Sequence, residues 1–215
     1  MNCSEKTKAL KYFIASKGSM LISYSGGVDS ALLAVLATEV LGDNTRCILL
    51  DSPVVPRAAI AEAQQIAEVF GLQMEIIPVR VMDDERFTKN PAERCYWCKK
   101  KSAKVLKWRK DALHFACIAD GINVSDTGEH RPGLRASTEE GICHPFLEAG
   151  ITKADIREIA QARGLSFWNK PSAACLSSRI PYGDEITSEK LAMIERAEAF
   201  LHASGFVQCR VRLHG

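Results

Sequence analysis

Ser25-Gly26-Gly27-Val28-Asp29-Ser30 is the stretch that decides how this chain is read. Ahead of it, Met20 to Tyr24 is a short apolar run that predicts a buried strand. Behind it, Ala31 to Leu41 predicts an apolar helix closed by Gly42. Two glycines between strand and helix let the backbone turn sharply and present its amides, and the helix adds the positive end of its dipole. Such a loop is built to hold an anion such as pyrophosphate. Asp29 is out of place beside phosphate unless Mg²⁺ lies between them, because a carboxylate and phosphate oxygens together make an ordinary magnesium shell. A bare Gly-Gly pair would read as a tight turn with Ser30 as helix cap; the full six-residue string in this setting favours nucleotide binding. No lysine completes a Gly-Lys-Ser/Thr pattern, so the loop is not of the Walker type.

Outward from the loop, the same strand-and-helix unit recurs. Ser4 to Lys17 predicts an amphipathic helix with Leu10, Phe13 and Ile14 on one face. Cys47 to Leu50 is a second strand, Pro56 to Phe70 a helix, and Met74 to Val79 a third strand. A basic helix from about Cys95 to Leu113 leads to a fourth strand, Phe115 to Ala119, and to Asp120-Gly121-Ile122-Asn123. After a Gly- and Pro-bearing loop, Thr152 to Arg163 is again helical. This alternation predicts an α/β fold, a parallel sheet with helices on both faces, over residues 1–165. Residues 166–215 read as a smaller α+β region: a long loop from Lys170 to Gly183, a helix from Thr187 to Ala203, and a strand from Phe206 to Leu213 with Arg210, Arg212 and His214 on one face.

Composition sets the outer bounds. With 215 residues, 47% hydrophobic and 25% charged, the chain is neither disordered nor fibrous, and it is long enough to bury a full core. Its 28 basic and 26 acidic residues leave +2, too small a bias to argue for nucleic acid or anionic membranes. The N-terminus lacks the apolar core of a signal peptide, and the most apolar segment, 31–41, is too short to span a bilayer. A soluble cytoplasmic protein with no membrane partner is therefore expected, its eight cysteines mostly free thiols.

Four further stretches follow the glycine loop in order: Arg94-Cys95-Tyr96-Trp97-Cys98-Lys99, Asp120 to Asn123, Lys170-Pro171-Ser172-Ala173-Ala174-Cys175-Leu176-Ser177-Ser178-Arg179 continuing to Gly183, and Arg210-Val211-Arg212. The glycine loop resembles the PP-loop of the ATP-pyrophosphatase superfamily. The whole series resembles the LarE family of ATP-dependent sulfur transferases, from about residue 10 onward. The resemblance implies ATP and Mg²⁺ as cofactors, release of AMP and pyrophosphate, and a small-molecule nucleotide substrate. That substrate is a pyridinium dicarboxylate mononucleotide on the way to a nickel-pincer nucleotide, with one carboxylate adenylated and converted to a thiocarboxylate. A homo-oligomeric state belongs to the family expectation, and LarE-like chains continue beyond the Arg-x-Arg segment, so the second region is expected to be incomplete.

Carried onto this sequence, Ser25, Gly26, Gly27, Asp29 and Ser30 would bind the ATP phosphates, Asp51 and Ser52 would lie near adenine and ribose, and Lys99 would contact phosphate. Asp29 and Asp126 are candidate Mg²⁺ ligands, and Arg179, Arg210 and Arg212 candidate sites for the substrate's phosphate or carboxylate. Cys175, flanked by Lys170 and Arg179, is the expected sulfur-bearing residue, since neighbouring cations favour a thiolate. Two chemistries stay open. Cys175 gives up its own sulfur and becomes dehydroalanine, or Cys95, Cys98 and Cys175 hold a [4Fe–4S] cluster that carries an extra sulfide. A structural zinc site would want a fourth ligand, a thioredoxin-like dithiol would want a βαβ setting, and a helical cysteine pair with no role is the bland reading. Arg94, Lys99, Lys100, Lys101, Lys104, Lys107, Arg109 and Lys110, with Trp97 and Trp108 interleaved, also fit an RNA-binding face of a PP-loop tRNA thiolase. The near-neutral total makes nucleic acid the less favoured partner. An ammonia-using ligase of NAD-synthetase type is a further alternative, and it would not need Cys175.

Overall fold

The structure, a computed structural model, describes residues 2–128 and 132–214. Four parallel strands stand in the order β3-β2-β1-β4: β1 Met20–Tyr24, β2 Thr45–Asp51, β3 Met74–Pro78 and β4 Cys117–Ala119. Register follows from Met20 opposite Thr45 and Cys117, and from Cys47 opposite Met74. The helices are α1 (Cys3–Ser16), α2 (Val28–Leu41), α3 (Arg57–Val69), α4 (Glu85–Thr88), α5 (Arg94–Ala112), α6 (Pro132–Glu139), α7 (Pro145–Glu148), α8 (Lys153–Ala162) and α9 (Ser188–Ala203).

Alternation along the strands splits the core in two. Met20, Ile22, Cys47 and Leu49 face α1, α2, α3 and α8, while Leu21, Ile48 and Ile118 face Ala103 and Leu106 of α5. Helix α2 lies between the sheet and its neighbours, and every residue from Ala31 to Ala37 is buried, which is why its sequence is apolar all round rather than striped. The predicted sheet, with helices on both faces, is the one observed.

A third, smaller core ties the C-terminal stretch to the rest. Leu176, Ile180, Ile186, Leu191 and Ile194 pack with Val54, Val81 and Phe87 from the segments after β2 and β3. Asn90 reinforces it. Fully buried and in the left-handed region (φ 55°), a conformation asparagine tolerates, it donates through Nδ2 to the carbonyls of Pro181 (2.6 Å) and Asp184 (2.9 Å). Its own carbonyl accepts from Gly183 N at 3.0 Å.

Two expectations change. The strand over 206–213 does not form. Val211 N donates instead to Glu198 Oε1 (3.0 Å), and Leu213 N donates to the Arg179 carbonyl (3.0 Å). With no strand beside it, the segment satisfies its donors on α9 and on the 3-10 turn Leu176–Arg179, so the described residues after 165 are helical or irregular rather than α+β. The inward–outward alternation survives without the ladder: Arg210, Arg212 and His214 are exposed, and Cys209, Val211 and Leu213 are half-buried. Between Asn123 and Thr152, where a plain loop is expected, α6 packs on α5 and α7 is a single turn with Pro145 at its start. No described helix is long and apolar enough to cross a membrane.

The C-terminal stretch depends on one buried ion pair. Arg179, 6% exposed, meets Glu198 through two parallel bonds, Nε to Oε1 at 2.9 Å and Nη2 to Oε2 at 3.0 Å. Glu198→Ala strands a buried guanidinium and is expected to lower the stability of this unit by about 3–5 kcal/mol. Urea unfolding followed at Trp168 and Trp97 should register that loss, with Glu198→Gln recovering part of it.

Candidate functional site: an anion loop facing a cysteine loop

The loop after β1 is held by its own serines and by its neighbours. Ser30 Oγ accepts from Ser25 N (3.1 Å), meets Ser25 Oγ (3.1 Å) and donates to the Gly27 carbonyl (3.2 Å). Gly26 has φ +68°, and a Cβ placed on it would come within 2.5 Å of the Ala63 Cβ in α3. On the other side, a Cβ on Gly121 would meet Ser30 N at 2.9 Å and Asp29 Cβ at 3.0 Å. Glycine is thus required twice, once for the turn itself and once where the loop after β4 closes on the start of α2.

Asp29 projects from the first turn of α2 and accepts from Lys153 Nζ through both oxygens, at 2.8 and 2.6 Å. Burial raises its carboxyl above the usual range, against the opposing pull of Lys153, and the negative charge of Asp126 adds to the rise. Asp29 and Asp126 therefore stand within electrostatic reach, and two carboxylates beside a phosphate loop suit Mg²⁺, whose remaining shell would be phosphate and water. Lys153 is a residue the sequence reading missed. It opens α8, where a cation opposes the helix dipole, and that misplacement was the available signal.

Lys99 pairs with Asp120 (3.3 Å), a carboxylate only 3% exposed. Asp120 also meets His144 Nδ1 and Ser137 Oγ, both at 2.7 Å. Burial opposes its ionisation, but His144, Lys99 and Ser137 prevail and hold its pKa at about 2. The quoted Asp120–Asn123 stretch flagged this position, whereas His144 and Ser137 carried no signal in sequence.

At the C-terminal ends of β2 and β3, a cavity of about 530 Å³ is lined by Asp51, Ser52, Arg57, Val79 and Arg80 among others. In open parallel sheets this end of the strands is the ligand-binding end. Arg57 Nη1 donates to Asp51 Oδ1 (2.6 Å), and its Nη2 to the carbonyls of Ser52 and Val55 (both 2.8 Å).

The cysteine loop is anchored on both sides of this region. Lys170 Nζ donates to the Gly26 carbonyl (2.9 Å) and pairs with Glu62 (2.9 Å), while Leu176 N donates to the Val54 carbonyl (2.8 Å). Between those anchors Cys175 is half-buried, its Sγ 3.0 Å from Ser177 Oγ. The flanking cations do not serve it as expected. Lys170 is engaged with Gly26 and Glu62, and Arg179, bound to Glu198, donates through Nη1 to the carbonyls of Ala174 (2.8 Å) and Cys175 (2.9 Å). Arg179 thus shapes the loop, whereas Arg210 and Arg212 remain exposed.

Cys95 and Cys98, on the first turns of α5, lie near enough to Cys175 for each to feel its charge. Burial, with Cys175 and Cys95 adding to it, pushes the Cys98 thiol up to about 12; desolvation and Cys175 raise Cys95 as well. Three converging thiols match an iron–sulfur cluster in donor type and number. They are not drawn to ligand spacing, and no group of three or more His, Cys, Asp or Glu side chains among the described residues is arranged to hold a metal ion. The basic face of α5 is largely neutralised: Lys100 and Lys107 meet Glu140 at 2.6 Å each, and Arg109 meets Glu75 at 2.8 Å.

A parallel sheet in this order, with the string Ser25-Gly26-Gly27-Val28-Asp29-Ser30 after its first strand, is the framework of a PP-loop domain. Residues 4–103 match the NAD synthase family. The fold is shared with the NH3-dependent NAD synthetase of Campylobacter jejuni solved with nitrate (TM-score 0.63, 19% identity, covering 96% of this chain and 89% of that one). The chain belongs, more narrowly, to the LarE family. It is 32% identical to the pyridinium-3,5-bisthiocarboxylic acid mononucleotide synthase of Lactiplantibacillus plantarum over 90% of this chain and 70% of that protein. An uncharacterized protein of Synechocystis sp. is 41% identical over 96% of this chain and 77% of its own length.

Two measurements follow from the geometry. Gly26→Ala forces a Cβ into α3 at a positive φ, and is expected to abolish ATP binding in calorimetry while lowering stability by about 1–3 kcal/mol. Asp120→Asn is expected to cost about 2 kcal/mol at pH 7, because a carboxyl whose pKa is depressed on folding contributes stability above its unfolded value. The gap between wild type and variant should close as pH falls from about 4 to about 2.

Proposed function

We propose that this protein is an ATP-dependent sulfur transferase that activates the carboxylate of a pyridinium dicarboxylate mononucleotide and replaces a carboxylate oxygen with sulfur. One observation carries the reading: Lys170 and Leu176 hold the Cys175 loop against the glycine loop and the turn after β2, an arrangement that would bring sulfur and ATP into one site. The kinship with the Lactiplantibacillus synthase supplies the substrate class.

In this reading ATP lies across the ends of the strands, its phosphates on the amides of residues 26–30 and its adenosine toward Asp51 and Ser52. Mg²⁺, held by Asp29 and Asp126, would screen the phosphates. Lys153, released from Asp29 as the metal arrives, and Lys99, fixed by Asp120, stabilise charge that develops on the phosphates. The substrate carboxylate attacks the α-phosphorus and pyrophosphate leaves, converting a poor electrophile into an acyl-adenylate. The Cys175 thiolate then attacks the acyl carbon and AMP departs; a base removes the Cys175 Cα proton as the Cβ–S bond breaks, its electron pair leaving on sulfur as the thiocarboxylate and the chain keeping dehydroalanine. Arg210 and Arg212, exposed two residues apart, are suited to the substrate phosphate, and assembly into a homo-oligomer would bring further groups to them.

The convergence of Cys95 and Cys98 on Cys175 favours a second form of the same transfer. There the three thiolates would hold a [4Fe–4S] cluster, which supplies a bound sulfide and spares Cys175. An ammonia-using ligase, suggested by the NAD synthase match, needs none of these sulfurs.

Cys175→Ala is expected to retain ATP cleavage and yield no thiocarboxylate; unimpaired product formation would rule out sulfur transfer at this residue. Intact mass after turnover separates the two forms, since loss of about 34 Da from the chain marks sulfur given up by cysteine, whereas an unchanged mass with iron and sulfide in the protein marks the cluster. Lys153→Met is expected to lower kcat about 100-fold, a loss of roughly 3 kcal/mol of transition-state stabilisation.

A further inference from the structure

Arg94 is a buried cation with no carboxylate partner among the described residues. Its side chain is 6% exposed. Nη1 donates to Asn90 Oδ1 at 2.6 Å, the guanidinium lies over the Tyr182 ring at 4.3 Å, and Nε has no hydrogen-bond partner. No carboxylate among the described residues pairs with it. Arg179 shows the contrast, since it is equally buried and is matched by both oxygens of Glu198. A neutral amide, the Cys95 thiol and an aromatic face do little to offset the desolvation of a full charge, so a buried guanidinium left in this state is poised for an anion.

The surroundings say where that anion would sit. Arg94 is the first residue of α5 and acts on Cys95 both through its charge and through a side-chain hydrogen bond, and Cys95 in turn feels Cys175. Through Asn90 it is tied to the Pro181–Asp184 strap that follows the cysteine loop. A ligand group drawn to Arg94 is therefore brought beside the sulfur, and Tyr182 offers a flat, largely exposed ring next to it.

We propose that Arg94, at the start of α5 and with no carboxylate partner among the described residues, is the anchor for a carboxylate of an aromatic nucleotide substrate, and that it makes the site prefer a pyridine carboxylate to the matching carboxamide. This rests on the sulfur-transfer reading for the substrate class, but it concerns binding alone. A guanidinium reads a carboxylate by charge and by paired N–H donors, and a carboxamide forfeits the charge and turns an N–H₂ donor toward the cation.

The test uses the full chain loaded with a non-cleavable ATP analogue, titrated by calorimetry with nicotinic acid mononucleotide and with nicotinamide mononucleotide. Wild type is expected to bind the acid at least about tenfold more tightly, in line with a charge-assisted hydrogen bond. Arg94→Gln should bring the two affinities within about twofold, with the affinity for the ATP analogue unchanged. Arg94→Lys keeps the charge and should keep part of the preference, which makes it the deciding variant if Arg94→Gln does not fold. Equal binding of the two ligands by wild type, a full preference in Arg94→Gln, or no preference in a folded Arg94→Lys would each overturn the proposal. The two readings fail separately: a chain that prefers the acid but never forms a thiocarboxylate keeps this anchor and loses the sulfur transfer.

Discussion

The bond from Lys170 Nζ to the Gly26 carbonyl joins the two halves of this protein's chemistry. Gly26 sits at the tightest point of the anion loop, with no room for a side chain against Ala63. Lys170 opens the loop that carries Cys175. That hydrogen bond therefore holds the Cys175 loop to the anion loop, and the Leu176 bond to the Val54 carbonyl is its second anchor. The elements behind the site serve that spacing. Helix α2 is buried on all sides so that its N-terminus cannot drift, and the small core under Leu176 and Ile180 holds the cysteine loop down.

Charge is arranged to match. Among the described residues the ionic groups of the site are paired, Asp29 with Lys153, Asp120 with His144 and Lys99, Arg179 with Glu198, whereas Arg94 has no carboxylate partner. Pairs of this kind add little net stability, because desolvation offsets attraction, but removing one member leaves a costly orphan. They also fix position. Lys99 is held by the buried Asp120 and Lys153 by the half-buried Asp29, so both cations are fixed close to the anion loop.

The sheet, its helices and the anion loop were legible in the sequence because each rests on local chemistry. Apolar runs, bracketed by glycine and proline, located strands and helices to within a few residues, and Gly26-Gly27 before α2 marked the loop. Where the outcome depended on partners far along the chain, the sequence was silent or misleading. Phe206 to Leu213 has a strand's alternation, but a strand needs a neighbouring strand, and Glu198 and the Arg179 carbonyl take its donors instead. Arg179 and Lys170 stand beside Cys175 in sequence, yet their charges go to Glu198 and Glu62, because a side chain's direction is decided by packing. Lys153, His144 and Asn90 reach the site from 24 to 124 positions away from the groups they hold.

The central claim is that the anion loop and the cysteine loop form one site for ATP-driven activation of a carboxylate. The most direct measurement incubates the wild-type chain with ATP, Mg²⁺ and a pyridine carboxylate mononucleotide, and identifies the nucleotide released. The account predicts AMP and pyrophosphate in equal amounts, formed only when the carboxylate is present. Release of ADP, or AMP formation indifferent to the carboxylate, would contradict it.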